Sequence, residues 1–326
     1  MILDMKTGKF ILSVILLVFA SSFVFAQNEA DNSLTQGEQR PGPITRPMIV
    51  EIAPNTYFIN EFGMNAMYLL VGETRALLID TGTGFCDLKG IVEKITDLPY
   101  DVALTHGHPD HAGGIGQFDV VYIQQNDVEM ATHIPYEQRV EYGEIMRNMN
   151  IGYKNVWGYI KEDVTNYTKQ PEIKDIHDGQ VFELGDRDVT VYDAPGHSPG
   201  SVVFLDPYSK ILFSGDAANG NVGTRLPVST TLKYLIRLKE LQPQYNRMFT
   251  GHISYAGTID VYSQKLQVLD DIIEAFRSLL RGDAKTEVVA NHLFPDRKST
   301  VAVYGSARVG YNPEKLWEEG EEHIVY

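Results

Sequence analysis

Cysteine is nearly missing from this chain. Its 326 residues hold one, Cys86, which excludes an internal disulfide and any cysteine-rich zinc module. Positive charge is also scarce. Lysine and arginine number 28 against 43 acidic residues, a net charge of −15. Phosphate backbones need a basic footprint, so composition argues against nucleic acid as the main partner and leaves a locally basic pocket open. The one prominent apolar run, residues 10–20, is short for a membrane span and has the wrong flanks. No convincing serine triad is present, and Ser198 in "GHSPGS" lies outside a G-x-S-x-G elbow. What remains is a 43% hydrophobic composition, enough for a sizeable core in one large domain or two ordinary ones.

The apolar run follows Lys6 and Lys9 and precedes "SSFVFA", with Val24 and Ala26 at the small-residue positions of a signal-peptidase site. Residues 1–26 are therefore expected to be a signal peptide, with an uncleaved anchor as the alternative. No cysteine lies near the cleavage site, which excludes a lipoprotein anchor. The expected location is a bacterial periplasm or the cell exterior, with no stable membrane span after cleavage. Residues 27–47 are polar and rich in Gly and Pro and read as a flexible linker. The folded domain is expected over 48–326.

Within it the pattern alternates. "MIVEIAPNTYFIN" and "NAMYLLVGETRALLIDTG" read as strands joined by tight turns, and "DVALTHG", "VVYIQQ", "VFELGDRDVTVYDAPGH", "SVVFLD", "KILFSGDA" and "STVAVYG" as further strands. "CDLKGIVEKITDL", "STTLKYLIRLKELQ" and "TIDVYSQKLQVLDDIIEAFRSLL" have helical spacing, with Ser229 as a candidate N-cap. The order predicts a layered α/β fold with parallel and antiparallel pairs mixed.

Three of the nine histidines fall within "THGHPDHAGG". His106 and His108 are two apart, so in an extended segment their rings point the same way. Asp110 and His111 follow Pro109, which fixes the backbone direction. Imidazole and carboxylate both suit zinc. Four donors on one short loop exceed what a single tetrahedral zinc needs beside a water, which points to two metals. Three more donors share one setting, an apolar strand running into a glycine-bearing loop: His197 in "DAPGHSPGS", Asp216 in "LFSGDAANG" and His252 in "MFTGHISYAG". Ligands gathered at strand ends are how α/β folds build sites. His133, His177, His292 and His323 lack this setting and read as ordinary polar residues, His133 and His292 being the nearest to exceptions.

These motifs resemble those of the metallo-β-lactamase superfamily, over roughly residues 49–255 and the strand near Val301. The resemblance implies a four-layer αβ/βα sandwich. It also implies a ligand set: one metal on His106, His108 and His197, the other on Asp110, His111 and His252, and Asp216 bridging them. Asp80 in "LLIDTG" matches the family's buried aspartate, whose expected work is to brace the metal-binding loop. The metals are expected to be two divalent ions, zinc first, with iron or manganese as alternatives. Two ions about 3.5–4 Å apart can share a hydroxide and bring the pKa of bound water to about 7. Asp110 is the expected catalytic residue, orienting that hydroxide and passing a proton to the leaving atom.

Departures within the family narrow the reading. Asp216 stands where some β-lactamases carry a cysteine ligand, and it resembles instead the glyoxalase II, lactonase, phosphodiesterase and flavodiiron types. The lactonases place a tyrosine three residues after the bridging acid; here that residue is Asn219. Tyr255 lies near, without matching, the tyrosine that follows the last histidine of glyoxalase II. The expected function is a secreted binuclear hydrolase of a small ester, thioester, lactone or lactam. The alternatives are a phosphodiesterase and an iron-dependent dioxygenase-type redox enzyme. Residues 127–173, helix-like then loop-like, are a possible lid. Its Tyr136, Tyr142, Met146, Tyr153 and Trp157, together with Arg225 and Tyr255, are the candidate pocket residues for a small-molecule substrate. Oligomeric state is not legible.

Overall fold

Alternation along one strand, β3 (Asn65–Val71), sets the layering. Ala66, Tyr68 and Leu70 face one core while Met67 and Leu69 face another. A strand apolar on both faces must be covered on both. The same alternation runs through β4 (Ala76–Ile79), with Leu77 and Ile79 inward and Leu78 outward. It continues in β10 (Val202–Asp206), with Val202 and Phe204 inward and Val203 and Leu205 outward. This computed structural model describes residues 42–149, 157–252, 263–291 and 296–321. The expected leader, residues 27–41, Tyr153, Tyr255, His292 and His323 lie outside the described residues.

Two sheets carry these strands. The first runs in chain order: β1 (Met48–Ala53), β2 (Thr56–Glu61), β3, β4, β5 (Tyr100–Ala103), β6 (Val120–Ile123) and β7 (Glu172–Asp175). It is antiparallel up to β4 and parallel from there. The second contains β8 (Val181–Glu183), β9 (Asp188–Asp193), β10, β11 (Ile211–Gly215) and β12 (Arg247–Thr250), in the order β12-β11-β10-β9-β8. Only its β11–β12 pair is parallel. Between the sheets lies a core that includes Phe58, Tyr68, Phe204, Phe213 and Phe249.

Helices α1 (Leu88–Ile95), α2 (Pro109–Ala112) and α3 (Val128–Thr132) cover the outer face of the first sheet. The outer face of the second packs on two helices and a small sheet. The helices, numbered after α4 (Tyr136–Met149), are α5 (Val228–Glu240) and α6 (Gln267–Arg281). The sheet is formed by β13 (Thr286–Ala290), β14 (Lys298–Tyr304) and β15 (Ala307–Tyr311). This is the layered sandwich the motifs implied, helix–sheet–sheet–helix. No helix among the described residues is long and apolar enough to cross a membrane.

Local chemistry sets the element ends. The Asp87 carboxylate accepts from Gly90 N at 2.9 Å and caps α1, satisfying one of its orphan donors. Gly282 ends α6 in the left-handed conformation that glycine adopts without strain. Two expectations are corrected. The N-cap of α5 is Pro227; Ser229 lies one residue inside the helix, where its hydroxyl accepts from Glu318 N at 2.9 Å. The last long helix starts at Gln267 rather than near 258. Before it, Gln264 bridges to Met248 as a strand partner, its N–H on Met248 O at 2.7 Å. The end of the segment read as a linker touches the domain: Ile44 bridges to Trp157 and accepts from Gly158 N at 2.7 Å.

Topology then gathers the strand ends. β9 and β11 both run antiparallel to β10, and β12 runs parallel to β11, so three C-terminal ends of the second sheet share one rim. β4 and β5 run parallel and end together in the first sheet. Backbone bonds join the sheets there: Val202 N donates to Thr105 O and Ala66 N to Gly251 O, each at 2.8 Å. At the far rim, buried Arg187 donates to Thr56 Oγ1 at 3.1 Å and pairs with buried Asp206.

Candidate metal centre

Each donor side chain leaves the C-terminal end of a strand. Asp80 follows β4, His106, His108, Asp110 and His111 follow β5, His197 follows β9, Asp216 follows β11 and His252 follows β12. Pro109 occupies the first turn of α2, where its missing N–H costs nothing, and the turn brings Asp110 and His111 onto the strand-end loop.

The seven donors converge in two overlapping groups. In the first, His106 Nε2 and His197 Nε2 lie 2.9 and 2.8 Å from His108 Nδ1. In the second, His252 Nε2 lies 3.0 Å and His111 Nε2 3.5 Å from Asp110 Oδ2. Asp216 Oδ2 reaches both, 3.1 Å from His252 Nε2, 3.8 Å from His111 Nε2 and 3.5 Å from His197 Nε2. Three clusters of these residues could hold a cation: His106/His108/His197, His106/His111/Asp216 and Asp110/His111/His252.

The fit to cations can be read from the unmatched atoms. His111 Nε2 and Asp216 Oδ1 are buried and have no hydrogen-bond partner among the described residues, a costly arrangement for a protein interior. His108 Nδ1 carries either one lone pair or one N–H, so it cannot make a full hydrogen bond to both His106 Nε2 and His197 Nε2. A cation at each group resolves both problems.

The outer nitrogens fix the tautomers. His111 Nδ1 lies 2.8 Å from Asp80 Oδ2, and His252 Nδ1 lies 2.8 Å from the Met64 carbonyl. Each contact holds the proton on Nδ1 and turns Nε2 inward. Asp80 also accepts from Thr105 N at 2.7 Å and from its hydroxyl. It does so at φ 64, a left-handed backbone uncommon outside glycine, asparagine and aspartate. Asp80 thus contacts both the His111 ring and the loop after β5.

Charge divides the centre. Burial, then the neighbouring rings, holds His106 and His197 below the ordinary histidine value, and His108 is pushed down to about 3. At His111 and His252 burial opposes the charge, but carboxylates outweigh it. Asp110 and Asp80 raise His111 well above its ordinary value, and Asp216 and Asp110 lift His252 to about 10. The first group is a cage of imidazole nitrogens that resist protonation; the second sets imidazoles against carboxylates that favour it.

The pocket candidates separate. Tyr142, on α4, donates its hydroxyl to Asp110 Oδ2 at 2.7 Å and so reaches the centre. Met146 and Trp157 are each 4% exposed, packed with Phe62, Met64, Phe85 and Tyr159 in a satellite core under α4. They hold the helix in place and offer no open wall. Tyr136 bonds the Lys161 carbonyl at 3.4 Å. Arg225 is exposed; its backbone N–H donates to Gly196 O at 2.8 Å, beside His197. Asn219, at the lactonase tyrosine position, uses its side-chain oxygen to accept from Asn221 N at 2.9 Å. His133 and His177 are exposed and outside the centre.

Sequence reasoning missed Glu61 and Asp127. Glu61 is buried and accepts from Thr83 N at 2.6 Å, Phe85 N at 2.7 Å and Asn65 Nδ2 at 3.0 Å, pinning the loop after Asp80. An acid ending a strand in "FINEFG" carries no local sign of that task.

The family model for the metallo-beta-lactamase superfamily matches residues 60–252, and the chain belongs to that superfamily. It is 30% identical over 212 residues to the acyl-coenzyme A thioesterase MBLAC2 of Homo sapiens, covering 59% of this chain and 74% of that protein. It is 24% identical over 184 residues to the hydroxyacylglutathione hydrolase GloC of Haemophilus influenzae, covering 54% and 75%. Among solved structures, a metallo-beta-lactamase from Pontibacter korlensis superposes with a TM-score of 0.50 at 17% identity, covering 71% of this chain and 99% of that one. That likeness supports the fold.

Proposed function

We propose that this protein is a dinuclear metal hydrolase that cleaves small anionic thioesters. The observation that carries the reading is Asp216 Oδ2, placed within 3.1 Å of His252 and 3.5 Å of His197, between the two donor groups. His106, His108 and His197 would hold one divalent ion, and Asp110, His111 and His252 the other. Zinc suits this nitrogen and oxygen donor set. When bound, the pair supplies an acidified water and polarises the scissile carbonyl.

The chain's own groups do the rest. Asp110 holds a proton-accepting oxygen at the centre, and Tyr142 fixes that oxygen's direction. Together they orient the attacking water and return its proton to the leaving sulfur, so that thioester plus water gives a carboxylic acid and a thiol. Arg225 stands exposed beside the His197 loop in a strongly acidic chain. Its charge reaches the centre, where it helps lower the proton affinity of His108 and His197. It is the group we assign to an anionic end of the substrate.

A thioester is favoured over a lactam or lactone on two grounds. Relatives at 30% and 24% identity are named as a thioesterase and a hydroxyacylglutathione hydrolase. Asn219, committed to its own turn, stands where the lactonases have their tyrosine.

The test is a substrate panel on metal-analysed protein: short acyl-coenzyme A esters, S-lactoylglutathione, nitrocefin, a lactone, p-nitrophenyl acetate and bis-p-nitrophenyl phosphate. Thiol release should dominate and stop with chelator. Phosphodiester or lactam turnover without thiol release would overturn the thioester reading.

A further inference from the structure

We infer that Asp127 is a positioning residue that ties the two loops of the three-histidine group together, so that one of the two ions depends on it and the other does not. The inference rests on the dinuclear reading above.

Asp127 sits at the N-cap position of α3, where an aspartate ordinarily accepts from the helix's own N–H groups. It makes no such bond. Its buried carboxylate turns to the metal loops instead. Oδ2 accepts from Gly107 N at 2.9 Å, between His106 and His108, and from Ser198 Oγ at 2.5 Å, next to His197. Oδ1 accepts from Gly200 N at 2.8 Å. One side chain thus spans the loop after β5 and the loop after β9.

Close approach at both glycines is a second, independent observation. A Cβ on Gly107 would stand 2.7 Å from Asp127 O, and one on Gly200 would stand 2.8 Å from both Asp127 Cβ and Cγ. Each loop presents glycine where the Asp127 segment packs against it. The division of labour follows: Asp80 and the Met64 carbonyl orient His111 and His252, while Asp127 sets the spacing between His106/His108 and His197.

The Asp127 carboxylate is acceptor-only and faces three donors. In Asp127→Asn the amide must aim N–H at one of two backbone N–H groups in either orientation. The cage should loosen without losing a ligand.

The experiment measures zinc content and affinity by chelator competition on the full chain, as wild type, Asp127→Asn, Ser198→Ala and Asp80→Asn, with histidine NMR to show which rings respond to metal. Wild type is expected to hold two ions. Asp127→Asn should release one of them about 10–100-fold more readily, with His106, His108 and His197 as the rings affected. Ser198→Ala, which removes one of the three bonds and retains the fold should the first variant not, should move the same ion by less. Asp80→Asn should weaken the other ion more than this one, since Asp80 holds His111 directly and His106 only through Thr105. A merely structural Asp127 would lower the melting temperature and leave the ratio of the two affinities unchanged. That result, or both ions weakening in parallel, overturns the inference. A wild type holding fewer than two ions overturns the dinuclear reading itself.

Discussion

Tyr142 Oη lies 2.7 Å from Asp110 Oδ2, joining a helix of the segment after β6 to the acid at the heart of the donor set. The contact gives that segment a direct role in positioning Asp110. A hydrogen bond to a charged group contributes about 1.5–3 kcal/mol. Tyr142→Phe should therefore lower kcat about tenfold or more while leaving bound metal unchanged, as read by steady-state thiol release and metal analysis of the same sample.

His108 and Asp216 lie at the two places where loss of a donor opens the centre. His108→Ala removes the ring that both neighbouring nitrogens approach, and Asp216→Ala removes the oxygen shared between the groups. Both variants should lose most turnover and hold less than the wild-type metal content. Full activity in both would contradict the assignment.

Arg225 should act on binding rather than chemistry. An exposed guanidinium contributes little in salt, so Arg225→Ala should raise KM for a coenzyme A thioester roughly three- to tenfold with kcat nearly unchanged. The difference should shrink as ionic strength rises. An uncharged thioester should show no difference, and that comparison checks the role.

Asp271 gives a pH signature away from the site. Burial opposes its charge, but Ser306 N at 2.8 Å, Ser306 Oγ at 2.7 Å and Gln267 Nε2 at 3.2 Å outweigh it, so the carboxyl lies below the usual range. A carboxyl lowered in the folded state adds stability above its unfolded value of about 3.9 and loses it as pH falls through the folded one. Asp271→Asn should melt below wild type at pH 7, with the gap closing below about pH 4 in thermal melts.

The sandwich and its donors were legible because both are written in local patterns. The near-continuous apolar runs of β3, β4 and β10 mark doubly covered strands, and histidines in glycine-bearing loops after apolar runs mark the strand ends. Strands carrying charged residues, such as "EIKD" in β7 and "TEVVA" in β13, lack a continuous apolar run and went unread. Asp127 was illegible for a different reason. In "QQNDVEM" it looks like a helix cap, and only the folded chain shows its oxygens turned to residues 20 and 71–73 positions away. Met146 and Trp157 looked like pocket wall because an apolar side chain in an insertion serves a substrate or a satellite core equally well, and burial alone decides.

The far rim of the sandwich is closed by Arg187, Thr56 and Asp206, groups supplied by the polypeptide itself. Around the donors, four side chains come from one sheet and three from the other, so cations held there would act as a removable rivet opposite a permanent seam. Metal supply would then govern mechanics as well as chemistry: stripped of its ions, the protein should breathe first at the donor rim, and amide exchange should quicken there while the Arg187 end stays shut.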